Sequence, residues 1–159
     1  HAIEMARHSQ VRIVLNPSPA RPLEPSFLDG VDIIVANRDE IATLTGLGSP
    51  VDPAISARML IDAGAKAVIV TLGMDGAVAV TRNEETFTPA FLVDSIDSTG
   101  AGDAFVGNLA VALVRGLDLA GAIRFATAGA ALSVTRPGAQ PSMPSGTETE
   151  EFLRDGSDV

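Results

Sequence analysis

The chain has 159 residues, 46% of them hydrophobic, with a mean hydropathy of +0.28, enough apolar material for one packed domain and too much for a disordered chain. Its formal charge of -9, from 20 acidic against 11 basic residues, excludes the basic face that a nucleic acid or an anionic membrane requires. Cysteine is absent, which rules out disulfides, thiol nucleophiles and cysteine-bound zinc and fits a reducing cytoplasm.

The first residue is His1 rather than Met, and no secretory signal follows, so the expectation is a processed chain or a portion of a longer protein. Residues 1–8 read as the end of a helix, and "VRIVLN" at 11–16 is a short β-branched run of the kind buried in parallel sheets. "NPSPARPLEP" turns the chain, "VDIIVAN" at 31–37 is a second strand, and "RDEIATLTG" is a helix that Gly46 ends. In "DPAISARMLIDAG", Asp52 caps a helix, Pro53 takes its first position and Gly64 closes it. "KAVIVTLG" at 66–73 is a third strand, followed by "GAVAV" and segments near 86–93 that suit antiparallel strands. Helices are predicted over 101–115, 118–135 and 147–154. The run "VGNLAVALV" at 106–114 is shorter than the roughly 20 residues of a membrane span.

Strands alternating with helices give an α/β class: a mostly parallel sheet covered on both faces, with an antiparallel edge. Ligands on such sheets gather at the carboxyl ends of the strands. Asn16, Asn37 and the turn Thr71-Leu72-Gly73 all fall at such ends.

One stretch carries chemistry. In "DSTGAGDAFVGN", residues 97–108, Gly100, Ala101 and Gly102 precede a carboxylate, Asp103, at the start of an apolar helix. Amides at a helix N-terminus have no intrahelical partners and lie at the positive end of the dipole, so a glycine-rich entry there suits a phosphate. Asp103 alone could be first-turn helix stabilisation. Beside an anion hole, the same carboxylate could take the proton from an attacking hydroxyl, as phosphoryl transfer requires. Competing signatures are missing: there is no P-loop, no G-x-G-x-x-G, and Lys66 is the only lysine. His1 and His8 lie in the N-terminal segment without a serine or acidic constellation, so a hydrolytic triad is not expected.

"DSTGAGDAFVGN" resembles the second signature, D-[ST]-x-G-A-G-D-x-F-x-G, of the ribokinase (PfkB-type) sugar kinase family. "NPSPA" at 16–20, "ANRDEIATLTG" at 36–46 and "VTLGMDG" at 70–76 are similar to further segments of that family in the same order, and "VTRPGAQPSMP" at 134–144 is similar to its ribokinase branch. The resemblance covers nearly the whole chain. It implies a ribokinase-like three-layer α/β/α fold, and ATP with Mg²⁺ as cosubstrate and cofactor. Asp103 would be the base that deprotonates a primary hydroxyl of the sugar, and the amides of Gly100, Ala101 and Gly102 the anion hole, with Thr99 capping the helix. Asn37 and Glu40 match an N-x-x-E motif that arranges Mg²⁺ and its waters near the nucleotide, although an isolated Glu40 could be a solvated helix-face carboxylate. Thr71, Gly73 and Gly76 match a loop against the nucleotide, and are otherwise turn residues. The resemblance further implies K⁺ held by Asp97, by the carbonyls of Thr99, Ser133, Arg136 and Gly138, and by the Ser142 hydroxyl, an all-oxygen set suited to an alkali cation.

Two departures stand out. Thr127, in the nucleotide site by this resemblance, occupies a position where many relatives carry Asn or His. The family's first half, with its sugar-binding glycines, an early Asp and a β lid that often forms a homodimer, has no counterpart here. The chain is therefore expected to be the C-terminal, nucleotide-binding and catalytic part, with a sheet lacking strands at one side. The implied activity is phosphorylation of D-ribose to D-ribose 5-phosphate. Alternatives are another acceptor (adenosine, fructose or a ketodeoxy sugar acid) or a fragment that binds nucleotide without turnover.

Overall fold

The computed structural model describes residues 1–23, 25–48 and 51–155. They divide into two compact units, His1–Leu72 with Val78–Phe87, and Gly73–Ala77 with the chain from Thr88 onward.

The first unit runs α1 (Ala2–His8), β1 (Val14–Leu15), α2 (Pro25–Leu28), β2 (Ile33–Asn37), α3 (Arg38–Thr45), α4 (Pro53–Asp62) and β3 (Ala67–Thr71). β1 pairs in parallel with β2, Val14 opposite Ile33, and β2 with β3, from Ile33 opposite Ala67 to Asn37 opposite Thr71. The β-branched runs explain this sheet. Ile34, Val35, Val68, Ile69 and Val70 are buried on both faces, as strands flanked by crossovers must be. On one face Ile34, Ala36, Val68 and Val70 join Ile41 and Leu44 of α3 and Ala57, Leu60 and Ile61 of α4 in a single core.

β1 is shorter than the run at 11–16 suggests. Val11 is exposed, and the Ile13 amide goes to the Asp32 carboxylate at 2.8 Å rather than to a neighbouring strand. α2 replaces part of the expected turn: Pro25 opens it, where a missing N–H costs nothing, and Leu28 enters the core. The expected caps form. Asp52 Oδ1 accepts the Ala54 amide at 2.9 Å with Pro53 at the first position, and Gly46 ends α3 in the left-handed region at φ 69°.

β4 (Ala77–Thr81) and β5 (Glu85–Thr88) extend the sheet to the order β1-β2-β3-β4-β5, with β1 at one margin. Five residues link β3 to β4 and three link β4 to β5, too few for a parallel crossover, so the sheet is mixed. β5 stops at Thr88, short of the expected 93, because Pro89 has no N–H for a ladder.

The second unit is built on α5 (Ala101–Val114), α6 (Leu119–Val134) and α7 (Gly146–Asp155). α5 and α6 form a hairpin whose turn contains Gly116, and Asp118 caps α6 through the Gly121 amide at 2.8 Å. Small buried residues, Ala104 and Ala112 on α5, and Ala122, Ala126 and Gly129 on α6, let the two helices approach closely. α7 docks through Thr149, fully buried, whose hydroxyl donates to Asn108 Oδ1 at 3.1 Å, and through Phe152, edge-on to Phe91 at 5.3 Å. Among the described residues no helix is long and apolar enough to cross a membrane.

Candidate active site

Asn37 is the last residue of β2 and the residue that starts α3. Its Oδ1 accepts the Glu40 amide at 2.8 Å, while Glu40 Oε2 accepts the Asn37 amide at 2.9 Å. The N-x-x-E motif is therefore a reciprocal capping box, which satisfies orphan donors at the helix entry and fixes both side chains at the sheet's carboxyl edge. Thr71, the register partner of Asn37, ends β3 at the same level. Both carboxylate-bearing and hydroxyl-bearing positions thus stand where α/β sheets receive ligands.

In the second unit, Gly73–Asp75 form a 3-10 turn closed by the Gly76 amide on the Gly73 carbonyl at 3.1 Å. Gly76 has φ 110°, and a β-carbon on it would stand 2.1 Å from the Thr88 carbonyl oxygen, so this glycine is required by the fold itself.

The entry to α5 differs from expectation in one respect: Thr99 does not cap the helix. Gly100 is the cap residue, at φ 80° and without a side-chain cap bond, and the Thr99 amide instead donates to Asp97 Oδ1 at 2.9 Å. The Ala101 amide closes a turn on the Ser98 carbonyl at 3.2 Å. Gly100 is tightly placed, with Met143 Cε 3.0 Å and Ala139 Cα 3.3 Å from where a β-carbon would stand. Gly102 is the opposite case. It is exposed, its φ is ordinary, and among the described residues no atom of another segment lies within 4 Å of its missing β-carbon. Nothing among the described residues calls for glycine there. Asp103 follows it, exposed in the first turn of α5.

The loop after α6 meets this entry. Asp97 Oδ2 accepts the Gly138 amide at 2.8 Å, and the Ile96 and Asp97 amides donate to the Val134 carbonyl at 2.7 and 3.1 Å. Hydrogen bonds from Thr99 and Gly138 hold the Asp97 carboxyl down at about 2. Ser133 and Ser142 are fully buried. The Ser133 carbonyl accepts the Arg136 amide at 3.2 Å, and the Ser142 hydroxyl donates to the Ala139 carbonyl at 2.7 Å. With its proton so committed, Ser142 Oγ has only acceptor capacity left, the property a cation ligand needs. The Asp97 carboxylate, the carbonyls of Thr99, Ser133, Arg136 and Gly138 and the Ser142 hydroxyl are all hard oxygen donors with one formal charge, a set whose chemistry suits K⁺.

Thr127 lies inside α6. It is buried, and its hydroxyl donates to the Ile123 carbonyl at 2.8 Å, one turn back in its own helix. His8 is exposed on α1, its Nδ1 2.8 Å from the Glu4 carbonyl.

Sequence reasoning missed two residues behind this site, Asn108 and Glu148. Asn108, buried, donates from Nδ2 to the Ala104 carbonyl at 2.9 Å and accepts from Thr149. Glu148 accepts the Ser145 amide and hydroxyl through Oε2, each at 2.8 Å, and the Arg136 guanidinium through Oε1 at 2.6 Å. Those bonds, Ser145 first, hold its carboxyl at about 2. The spacing Ser145-x-x-Glu148 is itself a capping-box pattern that could have marked it.

Comparison with known proteins follows the same lines. The model of the pfkB family carbohydrate kinases matches residues 1–146. Over 158 residues the chain is 41% identical to a deoxyribokinase of Salmonella typhimurium, with 96% of this chain and 51% of that protein covered. The fold is similar to that of a Thermotoga maritima ribokinase, with a TM-score of 0.89 at 37% identity over 96% of this chain and 52% of the other. An Arabidopsis thaliana ribokinase, solved in complex with ribose and ATP, superposes with a TM-score of 0.88 at 29% identity, covering 96% of this chain and 50% of the other. The chain spans about half the length of each of these proteins. It has an α/β fold of the ribokinase type and belongs to the pfkB family of carbohydrate kinases.

Proposed function

We propose that this chain is the nucleotide-binding, catalytic half of an ATP-dependent sugar kinase that converts D-ribose to D-ribose 5-phosphate. The observation that carries the reading is a pairing at the positive end of α5: an exposed carboxylate, Asp103, directly after Gly102, a first-turn glycine for which the described residues give no cause. An approaching anion supplies the missing cause.

In this reading the Asp103 carboxylate accepts the proton of the sugar's primary hydroxyl. The freed oxygen forms a bond to the γ-phosphorus as the bond from that phosphorus to the β–γ bridging oxygen breaks, and ADP leaves. The amides of Gly100, Ala101 and Gly102 receive the oxygens of the transferring group, where the α5 dipole favours negative charge. An anion seated there competes with the Ser98 carbonyl for the Ala101 amide. Asn37 and Glu40 would hold Mg²⁺ through water; when bound, the metal neutralises charge between the phosphates. Thr71, Gly73 and Gly76 line the nucleotide. Asp97, the carbonyls of Thr99, Ser133, Arg136 and Gly138, and Ser142 would hold K⁺, whose charge supports the anion hole.

The likeness to a ribokinase solved with ribose and ATP supports the sugar assignment. The 41% identity to a deoxyribokinase favours a second reading, 2-deoxyribose as acceptor. The test is ADP release from MgATP by the purified full-length protein with ribose, with 2-deoxyribose and with neither. The sugar giving the higher kcat/KM is the substrate, and ADP release indifferent to both sinks the assignment. Replacing Asp103 with Ala should cost about 10²- to 10⁴-fold in turnover with ATP affinity little changed. A loss of only a few-fold would reject Asp103 as the base.

A further inference from the structure

The loop 136–142 carries three of the six oxygen donors assigned above to K⁺, yet its own backbone hydrogen bonds are short-range, apart from the staple between Gly138 and Asp97. What orients its start is α7. Arg136 reaches Glu148, and Glu148 is itself immobilised. Its Oε2 takes two bonds from Ser145, whose hydroxyl in turn accepts the Glu148 amide at 3.3 Å, leaving Oε1 directed at the guanidinium. α7 is anchored again at the next two residues, Thr149 to buried Asn108 on α5 and Glu150 to Arg115 at the far end of α5. Three consecutive residues therefore tie the cation loop and the helix carrying Asp103 to one rigid element.

We propose that Glu148 is a positioning residue for monovalent-cation binding: by holding the Arg136 side chain it sets the direction of the Arg136 and Gly138 carbonyls. The proposal rests on the K⁺ reading above. Outer-shell partners of this kind typically contribute about 10- to 100-fold to metal affinity.

The test uses thermal melting of the protein in KCl and in tetramethylammonium chloride at equal ionic strength, with K⁺ titrated, because a ligand that binds only the folded state raises Tm with its concentration. Glu148→Gln keeps an acceptor for Ser145 and loses the charge that faces Arg136. In tetramethylammonium it should melt within about 4 °C of the wild type, as expected for a half-exposed ion pair, while its K⁺ midpoint rises about tenfold. Arg136→Met should shift the midpoint by the same factor, and the double variant by no more than either single one. A Glu148→Gln titration that superposes on the wild type, or shifts that add in the double variant, overturns the positioning role. A wild type that melts identically in both salts overturns the cation reading itself, and the proposal with it.

Discussion

The Asp97 carboxylate accepts the Gly138 amide across 41 positions of sequence, closing the segment before α5 onto the loop after α6. Its other oxygen takes the Thr99 amide. One side chain thus fixes two stretches that the proposed chemistry needs together.

Acid should undo this arrangement in a defined window. The carboxyls of Asp97 and Glu148 are lowered from 3.8 and 4.5, each to about 2, by the bonds they accept. A carboxylate with a depressed native pKa adds stability that is complete above its unfolded pKa and disappears as pH falls through the native one. Urea unfolding should therefore show stability falling from about pH 4.5 down to about 2. In Asp97→Asn combined with Glu148→Gln that fall should be shallower. An equal slope in both proteins would contradict these shifts.

Gly100 and Gly102 should part company under substitution. Gly100→Ala forces a left-handed φ on a β-carbon pressed against Met143, and should destabilise by about 1–2 kcal/mol or more. Gly102→Ala meets no neighbour and gains helix propensity, so stability should hold or rise by up to about 1 kcal/mol. ATP-dependent turnover should nevertheless fall, because the added methyl holds the anion away from the retained amide, by at most about the 10²- to 10³-fold that a lost anion-hole donor costs. Melting curves beside kinetics separate the two. A fully active Gly102→Ala protein would remove the anion from this position.

Glu40 has two candidate roles that one substitution divides. Glu40→Gln retains an acceptor for the Asn37 amide, so the cap survives and stability changes by less than about 0.5 kcal/mol. If the carboxylate also organises Mg²⁺, the Mg²⁺ concentration for half-maximal turnover should rise about tenfold. An unchanged Mg²⁺ titration would confine Glu40 to capping.

Gly129 and Asn108 should behave as a coupled pair. A β-carbon at 129 would lie 2.3 Å from Asn108 Cγ, so Gly129→Ala should destabilise by about 1–3 kcal/mol through overpacking. Asn108→Ala opens that space and gives up the bond to Thr149. The double variant should lose less than the sum of the single losses, and strict additivity in calorimetry would disprove the contact.

Much of this was legible in the sequence because the signals are local. The β-branched runs of β2 and β3, Asp52-Pro53 at the start of α4, Gly46 after α3 and the apolar helices α5 and α6 each declare themselves within a few residues. The motif around Asp103 was visible for the same reason. What escaped depends mostly on distant partners: Asp32 takes the amide of Ile13, just before β1, and Thr149 finds Asn108 at a separation of 41. Thr99 escaped for a local reason, because its amide turns back to Asp97 two residues earlier and Gly100 becomes the cap.

The three anchors of α7 have a mechanical consequence. Successive residues of an α-helix point about 100° apart around the axis, so Glu148, Thr149 and Glu150 grip their partners from three azimuths. Such a helix cannot roll or slide by a small amount, because any rotation that relaxes one grip strains the other two. α7 should therefore open as a unit, with its amides exchanging hydrogen together with those of α5 and α6.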